Sequence, residues 1–154
     1  MEDITRIPPH SVESEQSILG SILLDKDAMI TVSETIKPDD FYKEAHKIIY
    51  ECMITLSNKN EPIDLITLTE ELRKQGHLDD VGGISYITSL STIVPTTSNV
   101  KYYADIVKEK SVLRKLIKVS NDIINLGYDG SHKIEDVLDK AEKKIFFQYY
   151  SLLS

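Results

Sequence analysis

Tryptophan is absent from the 154 residues, and cysteine occurs once, at Cys52. A lone cysteine excludes a disulfide within the chain. Its setting, IIYECMITL, is an apolar helical run, so Cys52 reads as a small buried hydrophobe in a reducing compartment. Long apolar runs are missing too: no stretch approaches the length of a membrane span, and no signal peptide opens the chain. Positive charge is in deficit. The formal net charge of −7 argues against a general binder of nucleic acid or of anionic membranes. There is no GxxxxGK[ST] loop, and Gly82-Gly83 is the only adjacent glycine pair, so nucleotide binding has no support. The histidines His10, His46, His77 and His132 are scattered without metal-ligand spacing. Neither a repeat nor a low-complexity tract is visible. These exclusions leave a soluble, intracellular protein, long enough to bury a core without disulfides or metal.

What is present is helical periodicity. Pro8-Pro9 keeps the start of the chain extended, and Ser11 then suits an N-cap, with Glu13 and Glu15 in the first turn. The spacing predicts helices over about 12–24 (Val12, Ile18, Leu19, Ile22 and Leu23 inward) and 26–35 (Asp25 as cap; Met29, Val32 and Ile36 inward). A turn at Pro38-Asp39-Asp40 and an aromatic anchor, Phe41-Tyr42, lead to a helix over about 43–58 that buries Ile48, Ile49, Cys52, Met53 and Leu56. Asp64 caps a helix over about 65–75 through Leu65, Leu68 and Leu72, closed by Gly76; another follows over about 83–91 with Ile84, Ile87 and Leu90. No convincing strand is found.

Residues 98–146 predict a long helix, a tight turn and a returning helix. Pro95 marks the loop before it, Ser98 serves as cap, and nothing breaks the pattern until the cluster Gly127-Tyr128-Asp129-Gly130-Ser131. A helix over 98–126 is about 44 Å long, against a body roughly 34 Å across, so the hairpin is expected to project. Its first arm carries two stripes: Val112, Leu116, Val119, Ile123, Leu126, and beside it Leu113, Ile117, Ser120, Ile124. The returning arm offers one, Ile134, Leu138, Ala141, Ile145, with Val137 beside it. Pairing the arms consumes one stripe each and leaves aliphatics over, an adhesive patch for another polypeptide. The globular body is the plain alternative cover near the base of the hairpin.

The acidic pairs Asp39-Asp40, Glu70-Glu71 and Asp79-Asp80 sit at helix starts or on polar faces, where acids are expected without any chemistry. His46 reads as a packed, hydrogen-bonded histidine. A helix-turn-helix over 65–91 is disfavoured because GGISYITSLST has no side chain suited to reading base edges. Lys108, Lys110, Arg114, Lys115 and Lys118 form a basic edge on the long helix. It is read as a solvated face, with a phosphate-contacting, nucleic-acid-binding module as the alternative.

The same segments, in order and spacing, resemble the N-terminal domain of bacterial replicative helicases of the DnaB family. The pieces are PPHSVESEQSILG (8–20), DDFY (39–42), AHKIIY (45–50), EPIDLITL (61–68), VGGISYITSL (81–90), VPTTSNVKYYADIV (94–107) and AEKKIF (141–146). The resemblance implies an all-α fold: an extended arm (1–10), a compact multi-helix body (11–97) and a projecting helical hairpin (98–146). Residues 147–154, FQYYSLLS, depart from the family's polar linker and stand as the start of a linker or an added tail. It further implies a non-catalytic collar domain, with hairpins paired between subunits as a trimer of dimers on a hexameric ring. Partners are other copies of itself, a DnaG-type primase and, in some bacteria, the helicase loader. DNA is reached only through the full ring, and the location is the bacterial cytoplasm, at the replisome. No cofactor is expected in this chain, since the family uses ATP and magnesium in a separate C-terminal motor. Self-association is expected to rest on Leu116, Ile117, Val119, Ile123 and Ile124; the family's docking surfaces for primase point to Glu13, Tyr86 and Ile117.

Overall fold

The computed structural model describes residues 6–94 and 96–153, with side chains to residue 150. Pro95 and the first half of the N-terminal arm lie outside the described residues. Every regular element among the described residues is helical: α1 (Val12–Leu24), α2 (Ala28–Ser33), α3 (Glu44–Asn58), α4 (Leu65–Lys74), α5 (Gly83–Ile93), α6 (Val100–Tyr128) and α7 (Ile134–Leu153), with short 3-10 turns at Pro38–Asp40 and Thr97–Asn99. The fold is all-α.

The best-defined helix ends come from local side-chain chemistry. Ser11 caps α1, its Oγ accepting the Ser14 N–H at 3.2 Å. At α4 the capping is reciprocal: Asp64 Oδ1 accepts the Thr67 N–H at 2.8 Å, and Thr67 Oγ1 accepts the Asp64 N–H at 2.9 Å. The same helix closes with Gly76 at φ +77°, where the His77 N–H reaches the Leu72 carbonyl and the Gly76 N–H reaches that of Arg73. Three boundaries differ from expectation. Asp25 accepts the Asp27 N–H and makes a turn of residues 25–28, which delays α2 to Ala28. Ser98 is not the cap of α6; Thr96 Oγ1 accepts the Ser98 N–H, residues 97–99 coil as a 3-10 turn, and α6 starts at Val100. Gly127 does not end α6, which continues to Tyr128 because the break is made one residue later. There Asp129 Oδ1 accepts both the N–H (3.0 Å) and the hydroxyl (2.6 Å) of Ser131.

The chain forms two compact units. One is His10–Lys110, with a core from Ile18, Leu19 and Ile22 of α1, Val32 of α2, Ile49, Met53 and Leu56 of α3, Leu68 and Leu72 of α4, and Ile87 and Leu90 of α5. Ala104 and Val107, in the first turns of α6, join it. Gly20 lets α1 and α5 touch: a Cβ there would lie 2.3 Å from the Leu90 carbonyl oxygen and 2.5 Å from Val94 Cγ2. Ile84, expected inside, is exposed; α5 is held through Ile87 and Leu90. The second unit contains residues 6–9 and the chain from Ser111 onward.

Candidate assembly and docking surfaces

In the second unit, the outer part of α6 and the returning α7 share little apolar contact. Val119 is 7% exposed, the only large aliphatic of this unit to be buried among the described residues; Ile123 and Leu126 are half-buried. Leu113, Leu116, Ile117 and Ile124 (54% exposed) remain open. The surplus stripe on α6 is therefore present. The expected returning stripe is not used as foreseen: Ile134, Leu138 (62% exposed) and Ile145 stay open. The half-covered line on α7 is instead Val137, Ala141, Lys144 and Gln148, stepping by four, three and four. The reason is the chemistry along that line, a methyl at Ala141 and an ion pair from Lys144 Nζ to Asp122 Oδ2 at 3.8 Å, in place of interlocking aliphatics. More apolar surface is left uncovered than the stripe count implied. Of the five residues expected to carry self-association, Leu116, Ile117 and Ile124 are available, while Val119 is consumed within the hairpin and Ile123 partly so. Ile117 also edges a groove with Arg6, Ile7 and Pro8, where the Arg114 guanidinium donates to the Pro9 carbonyl at 2.8 Å.

In the first unit, Glu13 is an exposed first-turn acid of α1. Tyr86 on α5 is half-buried and belongs to a polar chain that sequence reasoning did not foresee. Glu15, 1% exposed, accepts the Tyr42 N–H at 2.8 Å through Oε2, and the Lys43 N–H at 3.3 Å through Oε1. Oε1 also lies 2.7 Å from His46 Nδ1, and His46 Nε2 lies 2.6 Å from Tyr86 Oη. Gln16 Nε2 donates to the same hydroxyl at 3.2 Å. With His46 neutral and its proton on Nδ1, each group finds a complement: amide to Tyr86 oxygen, Tyr86 hydroxyl to imidazole, imidazole N–H to carboxylate. The His46 and Tyr86 rings also stack, 5.9 Å between centroids and 12° apart. A signal for Glu15 was available: it falls on the stripe 15, 18, 19, 22, a carboxylate in line with Ile18, Leu19 and Ile22.

The two other buried acids, Asp40 and Glu71, are structural. Asp40, 1% exposed, accepts the Lys37 N–H at 2.8 Å and lies 3.3 Å from Lys108 Nζ. Glu71 accepts from Lys59 Nζ at 3.3 Å and from Gln75 Nε2 at 3.2 Å. Burial pushes the Glu71 carboxyl up, but these two hydrogen bonds and the lysine charges outweigh it and leave the group below its ordinary value. The Cys52 thiol is pushed up to about 12 by burial and by the charge of Glu71, the opposite of an activated nucleophile. No three potential metal ligands cluster among the described residues. No helix among them is long and apolar enough to cross a membrane.

Residues 7–109 match the family model of the DnaB-like helicase N-terminal domain. The chain belongs to that family. It is 46% identical over 140 residues to the replicative DNA helicase DnaC of Bacillus subtilis, and 46% identical over 140 residues to the replicative DNA helicase DnaB of Geobacillus stearothermophilus. Each alignment covers 91% of this chain but 31% of the relative, so the chain spans about a third of the length of these helicases and corresponds to their N-terminal, non-catalytic domain. A crystal structure of the N-terminal domain of the DnaB helicase of Mycobacterium tuberculosis superposes with a TM-score of 0.85 at 39% identity, covering 91% of this chain and 99% of that one. A second structure, of a DnaB-like replicative helicase and its interactions with primase, gives 0.72 at 26% identity over 90% of this chain and 31% of that one.

Proposed function

We propose that this DnaB-family N-terminal domain acts as the collar of a hexameric replicative helicase, joining subunits through its hairpin and docking primase during DNA replication. The observation that carries the assembly role is the open row Leu113, Leu116, Ile117 and Ile124 on α6, facing no partner stripe on α7. Fully burying one such side chain is worth roughly 1.5–3 kcal/mol, so covering four half-open ones against a second copy is a substantial driving force. The division into arm (1–10), body (11–97) and hairpin (98–146), with the hairpin projecting, is part of this reading, as is closure into a trimer of dimers.

The docking role draws on the relative solved in the context of primase. In this chain it falls on Glu13 and Tyr86 in the first unit and on Ile117 in the second. Contact with a helicase loader, and passage of DNA through the assembled ring, belong to the same reading. No ATP or magnesium is assigned to this chain: the sequence lacks a GxxxxGK[ST] loop, and the buried acids Asp40 and Glu71 are engaged by the Lys37 amide and by Lys59. That chemistry belongs to the remaining two-thirds of the helicase, in the bacterial cytoplasm.

Sedimentation equilibrium of this chain over a wide concentration range tests the proposal. A dimer or hexamer is expected, reduced to monomer by Ile117→Asp with Ile124→Asp at unchanged helicity. A double variant that assembles like the parent would sink the hairpin interface. Primase binding, measured by isothermal titration, should weaken in Glu13→Lys and Ile117→Asp while the isolated fold is retained.

A further inference from the structure

Beside its half-covered line, α7 carries an open row. At about 100° per residue, Ile134, Leu138, Ile145 and Tyr149 fall within roughly 60° of one another, and all four are exposed. Their spacing is four, seven and four, so Ile134 and Tyr149 stand equally far from the point between Ala141 and Glu142, as do Leu138 and Ile145. The two halves of the row differ in shape. Ile134, 68% exposed, and Leu138 protrude from the first half. The second half borders an apolar cleft of about 600 Å³, lined by Ala141, Glu142, Ile145, Phe146 and Tyr149 with Ile123 of α6. Its aromatic end is braced: Phe146 and Tyr150 pack 4.4 Å between centroids, and the Tyr149 ring meets that of Tyr150 edge-on at 5.8 Å. Tyr149 and Tyr150 lie in the stretch that departs from the family's polar linker.

We propose that α7 pairs antiparallel with α7 of a second copy about a two-fold axis between Ala141 and Glu142. The inference rests on self-association of the hairpin, and names a seam and a register that the α6 row does not supply. In a two-fold contact, residue i meets residue j and j meets i. A row spaced symmetrically about its centre satisfies that rule: Tyr149 seats against Ile134 of the second copy, and Ile145 against its Leu138. The protruding half of each copy thereby enters the cleft half of the other. The methyl of Ala141 lets the helices approach at the crossing, and tyrosine is a side chain that anchors such interfaces. Area points to a second copy as well. The four α6 aliphatics, each already about half covered, offer roughly 300 Å², against about 800 Å² per partner in a stable complex. The α7 row with Phe146 about doubles what is offered. An unrelated apolar helix could fill the cleft but would leave Ile134 and Leu138 open. Glu142 stands beside the axis, so pairing brings two carboxylates together, and like charges oppose association.

The test is sedimentation equilibrium of the whole chain and of variants in α7. Tyr149→Ser and Leu138→Ser should each weaken association about tenfold or more. Glu142→Gln should tighten it about three- to tenfold, because the charge at the axis is gone. Asp136→Asn removes the same charge on the opposite side of α7 and should match the parent. All four side chains are at the surface, and thermal unfolding is expected to match the parent. If Tyr149→Ser and Leu138→Ser associate like the parent while Ile117→Asp with Ile124→Asp gives monomer, the α7 seam is overturned and the α6 row stands. A Glu142→Gln variant no tighter than Asp136→Asn overturns the two-fold axis, and the proposal with it. A parent that is monomeric at every concentration overturns both the seam and the hairpin reading it rests on.

Discussion

Tyr86 Oη and His46 Nε2 are 2.6 Å apart, although 40 residues separate them in the chain. Through His46 the contact extends to Glu15, and through Gln16 it returns to α1, so one hydroxyl fastens α5 to both α1 and α3. Tyr86 is thus a positioning residue for the surface near Glu13 as well as a candidate contact. Tyr86→Phe deletes the hydroxyl but keeps the ring stack. At about 1 kcal/mol per neutral hydrogen bond it should cost roughly 1–2 kcal/mol in urea unfolding. His46→Ala should cost more, about 3 kcal/mol, since it opens a cavity and removes one partner of a buried carboxylate. Equal losses would show that the carboxylate is satisfied by the Tyr42 and Lys43 amides alone.

Gly20 is a close packing point between α1 and α5. Gly20→Ala places a methyl 2.3 Å from the Leu90 carbonyl oxygen, which is backbone and cannot swing aside. The mid-helix propensity gain of about 1 kcal/mol for alanine is expected to be overrun, giving a net loss of about 1–3 kcal/mol. A more stable Gly20→Ala variant would mean that the two helices separate without penalty.

How much of this was legible in the sequence depends on how local the cause is. The caps at Ser11 and Asp64, and the stop at Gly76, are written within four residues and were read correctly. So were the buried stripes of α1, α3 and α4, where the period alone decides. Ser98 was misread because Thr96, two residues earlier, engages its N–H and its hydroxyl and coils residues 97–99 before α6 begins. Glu15 was placed as a helix-dipole acid because its partners, His46 and the Tyr42 and Lys43 amides, lie some thirty residues away. The covered line on α7 was read only in part, at Ala141 and Val137, for a related reason: hydrophobicity favoured Leu138 and Ile145, whereas the contact is set by the small Ala141 and by the Lys144–Asp122 pair.

The Glu71 carboxyl has its folded value held below the ordinary 4.5, and this fixes the sign of its pH dependence. Its contribution to stability is complete above the unfolded value and is lost as pH falls through the folded one. Glu71→Gln should therefore be less stable than the parent at pH 6. The gap should narrow as pH drops below 4.5. A gap constant from pH 6 to pH 3 would show that the Lys59 and Gln75 contacts do not favour the ionised form.

Cys52 gives an independent probe of the core. Its thiol is pushed up to about 12 by burial, so almost no thiolate exists at pH 8, and the residue is 1% exposed. Labelling by a disulfide reagent should be slow in the native state and rise with urea along the unfolding transition. Rapid labelling without denaturant would mean that α3 opens locally.

Val119 and Ile124 separate packing within the hairpin from packing between copies. Val119 is 7% exposed against 54% for Ile124, though both lie on the same helix five residues apart. Val119→Asn puts an amide in place of the one large aliphatic that this unit buries among the described residues. It should loosen α7 from α6 and speed amide exchange in α7, whatever the protein concentration. Ile124→Asp adds a charge where water already reaches, so exchange in the monomer should match the parent, while association measured by sedimentation weakens. If Ile124→Asp speeds exchange in α7 of the monomer, the residue supports its own hairpin, and the open row on α6 is not what a second copy would cover.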